Sequence, residues 1–287
     1  MASDVGGIRA ACEMTGLSPS TFYYKPTIDR IEREKQDADL RDKIEEIHSD
    51  LPKAGYRPMQ VYLQKHGIRV GERRLRRVIR KYGLFAEIKR AFVITSQTDH
   101  ELKRYPNLLP EMGVTGLDQV WVADITYIRI RNGFVYLAVI LDVYSRRVVG
   151  WAISKRLTAE IALEALQCAI DSRKPKPGLI HHSDQGVQYL CEDYIALLSK
   201  HGIRSSCSRR GNPYDNAFAE SFFKTLKRDE VYLWEYETYI DVIERLPIFI
   251  EEVYNTIRVH SSLGYLTPVE FEDKVRKTPQ DQPVLIL

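Results

Sequence analysis

The sequence predicts an α/β domain built on a mixed five-stranded sheet, preceded by an all-α helix-turn-helix region. Three observations carry this. Runs rich in β-branched and aromatic residues at 119–130, 134–143 and 147–154 are separated by short turns, as in an antiparallel meander. Helical and short apolar segments alternate after them, which adds further strands to the same sheet and makes it mixed. Ahead of them, two short helices flank a tight turn within residues 55–83. A length of 287 residues suits about two domains. With 44% hydrophobic and 28% charged residues, wholesale disorder and a fibrous chain are excluded.

The elements follow in order. Residues 8–24 read as a short helix, a turn at Gly16 and a second short helix capped by Ser18 or Ser20. Residues 28–49 form a highly charged helix whose only apolar stripe is Ile31, Leu40, Ile44 and Ile47, the pattern of a solvated connector. Gly55 opens a helix that runs to about His66 and stops at Gly67. Gly71 leads into a second, ERRLRRVIRKYG, with Leu75, Ile79 and Tyr82 on its buried face. The expected division is an N-terminal helical region (1–50), a helix-turn-helix domain (51–94), a Pro- and Gly-containing linker (95–118), a core with C-terminal helices (119–272) and a tail (273–287). Within the core, Asn132-Gly133 signals a hairpin. A helix follows at 158–172, a strand at LIHHSD, a helix at about 191–201 and a strand at IRSSCS. Long helices follow at about 214–230 and 236–257, and a short one after Thr267-Pro268.

The formal net charge is only +3, but residues 51–104 hold 14 Lys/Arg against 4 Asp/Glu, a local excess of +10. Arg73, Arg76, Arg77 and Arg80 recur at i, i+3, i+4 and i+7, one stripe on the second helix. Arginine forks grip phosphates and guanine edges bidentately, so the stripe points to double-stranded DNA. Cys12, Cys168, Cys191 and Cys207 show no CxxC spacing, which argues against a zinc finger or a disulfide framework. No apolar run of about 18 residues and no signal-peptide pattern is present, so the expectation is a soluble protein of the cytoplasm with no membrane role.

Three carboxylates stand where bland residues would be cheaper. Asp124 interrupts the nearly continuous apolar run VWVADITYI. An ionised carboxylate there is costly unless it is paired, bonded to local backbone or holding a metal. Asp184 in HHSDQG ends a short strand before a Gly-containing loop, where α/β sheets place ligands; an Asx turn is the plainer reading. Glu220 shares a helix face with Asn216, Lys224 and Lys227, either as an ordinary Glu–Lys pair or as part of a polar site. Asp142 is a rival, but in LDVYSR, at a strand end near Ser145 and Arg146, it suits a local polar bond. His182 and Ser183 read as loop support. Two aspartates and a glutamate offer the hard oxygen ligands that Mg²⁺ or Mn²⁺ require.

WVADITYI, YLAVILDVYSRRVVGW, HHSDQGVQY, SRRGNPYDNAFAESFFKTLK and YNTIRVHSSLGYLTPVEF, in that order, resemble the successive motifs of bacterial insertion-sequence DDE transposases with a retroviral-integrase-like core. Asp184 and Glu220 leave 35 residues between them, the spacing of that group's D-D-(35)-E pattern. The resemblance covers about 119–272, and more loosely 8–90. It implies a ribonuclease-H-like fold, Asp124, Asp184 and Glu220 as a metal-binding and catalytic triad, and two Mg²⁺ or Mn²⁺ ions. It further implies cleavage at element ends and transfer of the freed 3′-OH to target DNA by direct transesterification, without ATP, by a homo-oligomer acting on bacterial DNA. Lys224, Lys227 and Asn216 would then contact DNA near the metals. Asn255, Arg258 and His260 would pack the last helices or touch DNA. One departure is Pro58, where an arginine-rich helix start is usual. A nuclease without strand transfer, and a DNA-binding regulator with an inactive acidic site, remain the alternatives.

Overall fold

A computed structural model describes residues 12–22, 30–86, 105–109, 113–208 and 216–278. Most of the expected linker, the loop holding Pro213 and Asp215, and the tail beyond 278 lie outside these residues. The chain forms two compact units, one comprising the helices up to residue 85, the other residues 51–54 and the chain from 86 onward.

The first unit contains α1 (Arg30–Asp50), α2 (Tyr56–Lys65) and α3 (Glu72–Tyr82). Gly16 turns the chain with φ +69, and the Ser18 hydroxyl accepts the Thr21 amide at the start of a four-residue helix. α1 is not the solvated connector its charge suggests. Leu40, Ile44 and Ile47 are buried, and so is Asp37, which accepts hydrogen bonds from Arg77 at 2.9 Å and Arg74 at 3.3 Å. A thin apolar stripe is enough here because α2 and α3 present Met59, Tyr62, Leu63, Leu75 and Val78 to it. Val78 takes the buried place on α3, while Ile79 and Tyr82 are half-exposed. Pro58 sits in the first turn of α2, where a missing N–H leaves no helical bond unmade.

The second unit is built on one sheet of β1 (Val120–Ile130), β2 (Gly133–Asp142), β3 (Val148–Ser154), β4 (Ile180–Ser183) and β5 (Arg204–Cys207), in the order β3-β2-β1-β4-β5. The first three strands are antiparallel, with Trp121 opposite Asp142 and Ile130 opposite Gly133, and β4 and β5 join in parallel. This is the ribonuclease-H-like arrangement expected. Period-two alternation gives the sheet two apolar faces. Val120, Val122 and Ile128 of β1 pack with α6 (Ala217–Leu226) and α7 (Tyr239–Ile248), while Trp121 and Ala123 pack with α4 (Ala159–Arg173) and α5 (Glu192–Lys200). β3 lies so close to α4 that a Cβ on Gly150 would stand 2.4 Å from the Ala165 carbonyl oxygen.

Both long C-terminal helices widen into π-helical stretches, α6 through Lys227–Val231 and α7 through Phe249–Ile257. In α7 the widening begins two residues after Pro247, whose missing N–H breaks the regular ladder. Asn255 faces back to the sheet and clamps the Val148 amide and carbonyl, both at 3.0 Å. The last helix, α8 (Pro268–Lys277), starts with a capping box between Thr267 and Glu270.

A buried ionic network ties α8 to the sheet. Glu272 is fully buried and accepts hydrogen bonds from Arg147, Arg173, Arg276 and Ser145 at 2.7–3.0 Å. Arg173 also holds Asp118, just before β1, at 2.9 Å. Asp142 completes the cluster by accepting from the Ser145 amide and hydroxyl and from the Asp118 amide, the local role read from LDVYSR. Burial pushes the Asp142 carboxyl up to about 6, with the Ser145 bond opposing it.

Candidate active site

Asp124 has the parity of Val120 and Val122, so its side chain points to the face covered by α6. Asp184 stands one residue beyond β4, whose Ile180–His182 pair with Val120–Val122 of β1; this brings the end of β4 level with Asp124. Glu220 lies in the first turn of α6, and Asn216 anchors that helix start by donating to the Ala123 carbonyl at 3.3 Å. Sheet register and one helix therefore assemble residues separated by up to 96 positions.

Each carboxylate makes the local bond that its surroundings offer. Asp124 Oδ1 accepts the Ile125 amide at 2.8 Å, Asp184 Oδ1 accepts the Gly186 amide at 2.8 Å, and Glu220 Oε2 faces Lys224 at 3.5 Å. A Cβ on Gly186 would stand 2.8 Å from Asp184 Oδ1, so a larger residue there would push the carboxylate aside. These bonds do not quench the site. Burial first, then the negative charges of Asp184 and Glu220, push the Asp124 carboxyl up to about 7. Lys227 is the nearby cation. Its ammonium lies over the Tyr127 ring at 4.9 Å, and burial lowers it from its ordinary value while Asp124 pulls it back.

Among the described residues no group of three His, Cys, Asp or Glu side chains stands arranged to hold a metal ion. The donor chemistry nevertheless fits one: carboxylate oxygens that destabilise each other's charge are what a hard divalent cation neutralises. His182 is buried between the hydroxyls of Ser206, at 2.8 Å, and Ser208, at 3.1 Å, which confirms a supporting place.

Two expected DNA contacts are altered by their surroundings. Asn216 is buried, with its amide nitrogen donating to the Ala123 carbonyl of β1 and its Oδ1 without a hydrogen-bond partner, so it ties the start of α6 to the strand. Arg77 is half-buried on Asp37, which leaves Arg73, Arg76 and Arg80 as the exposed arginines of α3. Arg76 stacks on Tyr56 at 4.1 Å and pairs with Glu72 at 3.3 Å. Lys224 is 79% exposed and available to a ligand. Tyr189 was not singled out from the sequence. Its buried hydroxyl has no hydrogen-bond partner, and it lies within electrostatic range of Asp124 and Asp184. The only sequence signal was its place five residues after Asp184.

Residues 115–213 and 201–268 match families described as Integrase core domain, and residues 34–92 match an HTH-like domain. The HTH-like match begins inside α1, in keeping with the packing of that helix on α2 and α3. The chain is 38% identical to the insertion element IS600 uncharacterized 31 kDa protein of Shigella sonnei, over 92% of this chain and 97% of that protein. It is 37% identical to the transposase for insertion sequence element IS904 of Lactococcus lactis subsp. lactis (strain IL1403), over 88% of this chain and 98% of that one. The chain belongs to the insertion-sequence transposases. It is also 42% identical to transposase InsF for insertion sequence IS3A of Escherichia coli (strain K12), over 68% of each chain. Among solved structures, the HTLV-2 integrase catalytic core domain in complex with magnesium aligns at 17% identity and a TM-score of 0.41, over 54% of this chain and 97% of that one.

The transposase is thus a DDE enzyme, a polynucleotidyl transferase, with an integrase core behind a helix-turn-helix unit. No helix among its described residues is long and apolar enough to cross a membrane.

Proposed function

We propose that this transposase cuts DNA at the ends of its element and joins the freed 3′-OH to target DNA, with Asp124, Asp184 and Glu220 as the catalytic metal ligands. What supports this is the convergence of three carboxylates from β1, from the residue that follows β4 beside it, and from the first turn of the helix across them, with Asp184 and Glu220 acting electrostatically on Asp124. Mg²⁺ or Mn²⁺, two ions in all, would supply charge neutralisation at the transferring phosphate and activation of the attacking oxygen. Lys227, held beside Asp124, and the exposed Lys224 would grip DNA backbone next to the acids. Arg73, Arg76 and Arg80 would hold duplex through phosphates and base edges, with a second copy of the chain on the other DNA end.

In the joining step the oxygen of the 3′-OH forms a bond to a target phosphorus as that phosphorus releases its own 3′ oxygen; the attacking hydroxyl gives its proton to water, and the released oxygen takes one from water to become a new 3′-OH. One phosphodiester is made for each one broken, so no ATP is needed. The test is a precut end duplex with a free 3′-OH, incubated with target plasmid, the full chain and Mg²⁺. Joined product is expected. Hydrolysis of the target with no joined product would leave a nuclease and overturn the reading.

A further inference from the structure

Asn255 of the motif YNTIRVH is explained by its clamp on Val148; Arg258 and His260 are not. Arg258 pairs with Asp229 at 3.3 Å, yet its Nε is buried without a hydrogen-bond partner. The His260 ring sits edge-on to Tyr254 at 5.0 Å, and its Nε2 is likewise buried and unpartnered. Buried donors without partners are rare in folded proteins and call for an explanation.

A third group joins them from the β2–β3 turn. Arg146 has φ +63 and lays its guanidinium over the Phe218 ring at 4.0 Å. Its backbone amide donates to the Asp142 carbonyl at 2.9 Å, but no hydrogen bond or ion pair engages the guanidinium among the described residues. Arg146 and Arg258 both act electrostatically on Tyr254 and His260, so the two guanidiniums face the same cluster. The nearby acids are already engaged: Asp229 is gripped by Arg228 at 2.5 and 2.8 Å, and Asp142 is buried on Ser145 and the Asp118 amide. Arg258 shares Asp229 with Arg228, and Asp142 acts on the Arg146 guanidinium without an ion pair. Phe218 is two residues from Glu220 on α6, so this patch flanks the helix that carries the acid.

We propose that Arg146, with Arg258 and His260, forms a second phosphate site that takes a phosphodiester of the DNA strand running past α6. An arginine fork stacked on an aromatic ring is preorganised for a phosphate, and a neutral histidine can donate one further hydrogen bond. Burial first, then the charges of Arg258 and Arg146, hold the His260 ring well below its ordinary pKa, so it enters as a neutral donor. The site rests on the DNA-transfer reading above and extends it to residues outside the acidic triad.

The test uses the full chain and a short DNA duplex, with affinity followed by fluorescence anisotropy across a salt series. Arg146→Gln is expected to weaken binding by about three- to tenfold near 0.1 M salt, and to reduce by about one the slope of log affinity against log salt. Arg146→Lys keeps the charge and should keep the slope. A lowered Tm with an unchanged slope in Arg146→Gln would assign the side chain to packing on Phe218 and overturn the proposal, as would unchanged affinity. Wild-type binding that lacks salt dependence would overturn the DNA reading itself, a separate failure visible before any variant is compared.

Discussion

Asp184→Asn is expected to abolish the proposed metal-dependent cleavage and joining, by about a thousandfold or more, while duplex affinity stays within about twofold. Asparagine retains the Oδ1 that accepts the Gly186 amide, so the loop after β4 keeps its shape. What is lost is one negative charge, and with it one of the hard donors a divalent cation needs. The same loss relieves Asp124, whose carboxyl Asp184 helps to raise. Duplex affinity should be spared, because the arginines of α3 proposed to grip duplex belong to the other compact unit. Cleavage by Asp184→Asn within about tenfold of wild type, read in the same Mg²⁺ reaction, would remove Asp184 from the catalytic set.

Glu272→Ala is expected to lower the stability of the unit that carries the sheet by about 3–5 kcal/mol. Burial opposes ionisation of Glu272, yet its bonds to Arg173 hold the carboxyl below its ordinary value. Removing it leaves Arg173, only 7% exposed, with Asp118 as its remaining acid partner, and strips Arg147 and Arg276 of theirs. α8 would lose its ionic tie to the end of α4 and to the segment entering β1. Urea unfolding measures this, and a change of less than about 1 kcal/mol would show that water or neighbouring groups replace the carboxylate.

Periodicity and turn chemistry made most of the fold legible. The meander, the Asn132-Gly133 hairpin and the alternating helices lie within a residue or two of their expected bounds, because each depends on local pattern. Asp124 and Asp184 stood out because a charge in an apolar strand, or at its end, is expensive without a purpose. Glu220 stood out by the polar helix face it shares with Asn216, Lys224 and Lys227, and its spacing from Asp184 added to that. The rest depended on contacts between distant segments. The burial of α1 rests on Asp37 meeting Arg74 and Arg77, about 40 residues away, and a helix that charged gives no local sign of it. The place of Asn216 against Ala123, and of Tyr189 beside the two aspartates, follows from how α6 and the segment after β4 cross the sheet. The π-helical widening after Pro247 is a backbone response that side-chain periodicity does not record.

The central claim is that Asp124, Asp184 and Glu220 act as one metal-holding unit. Calorimetric titration of Mn²⁺ into the duplex-bound chain tests it most directly, with Asp124→Asn, Asp184→Asn and Glu220→Gln measured beside wild type. The account predicts saturable binding to wild type that weakens by about tenfold or more in each variant. Equal Mn²⁺ binding by wild type and all three variants would contradict it.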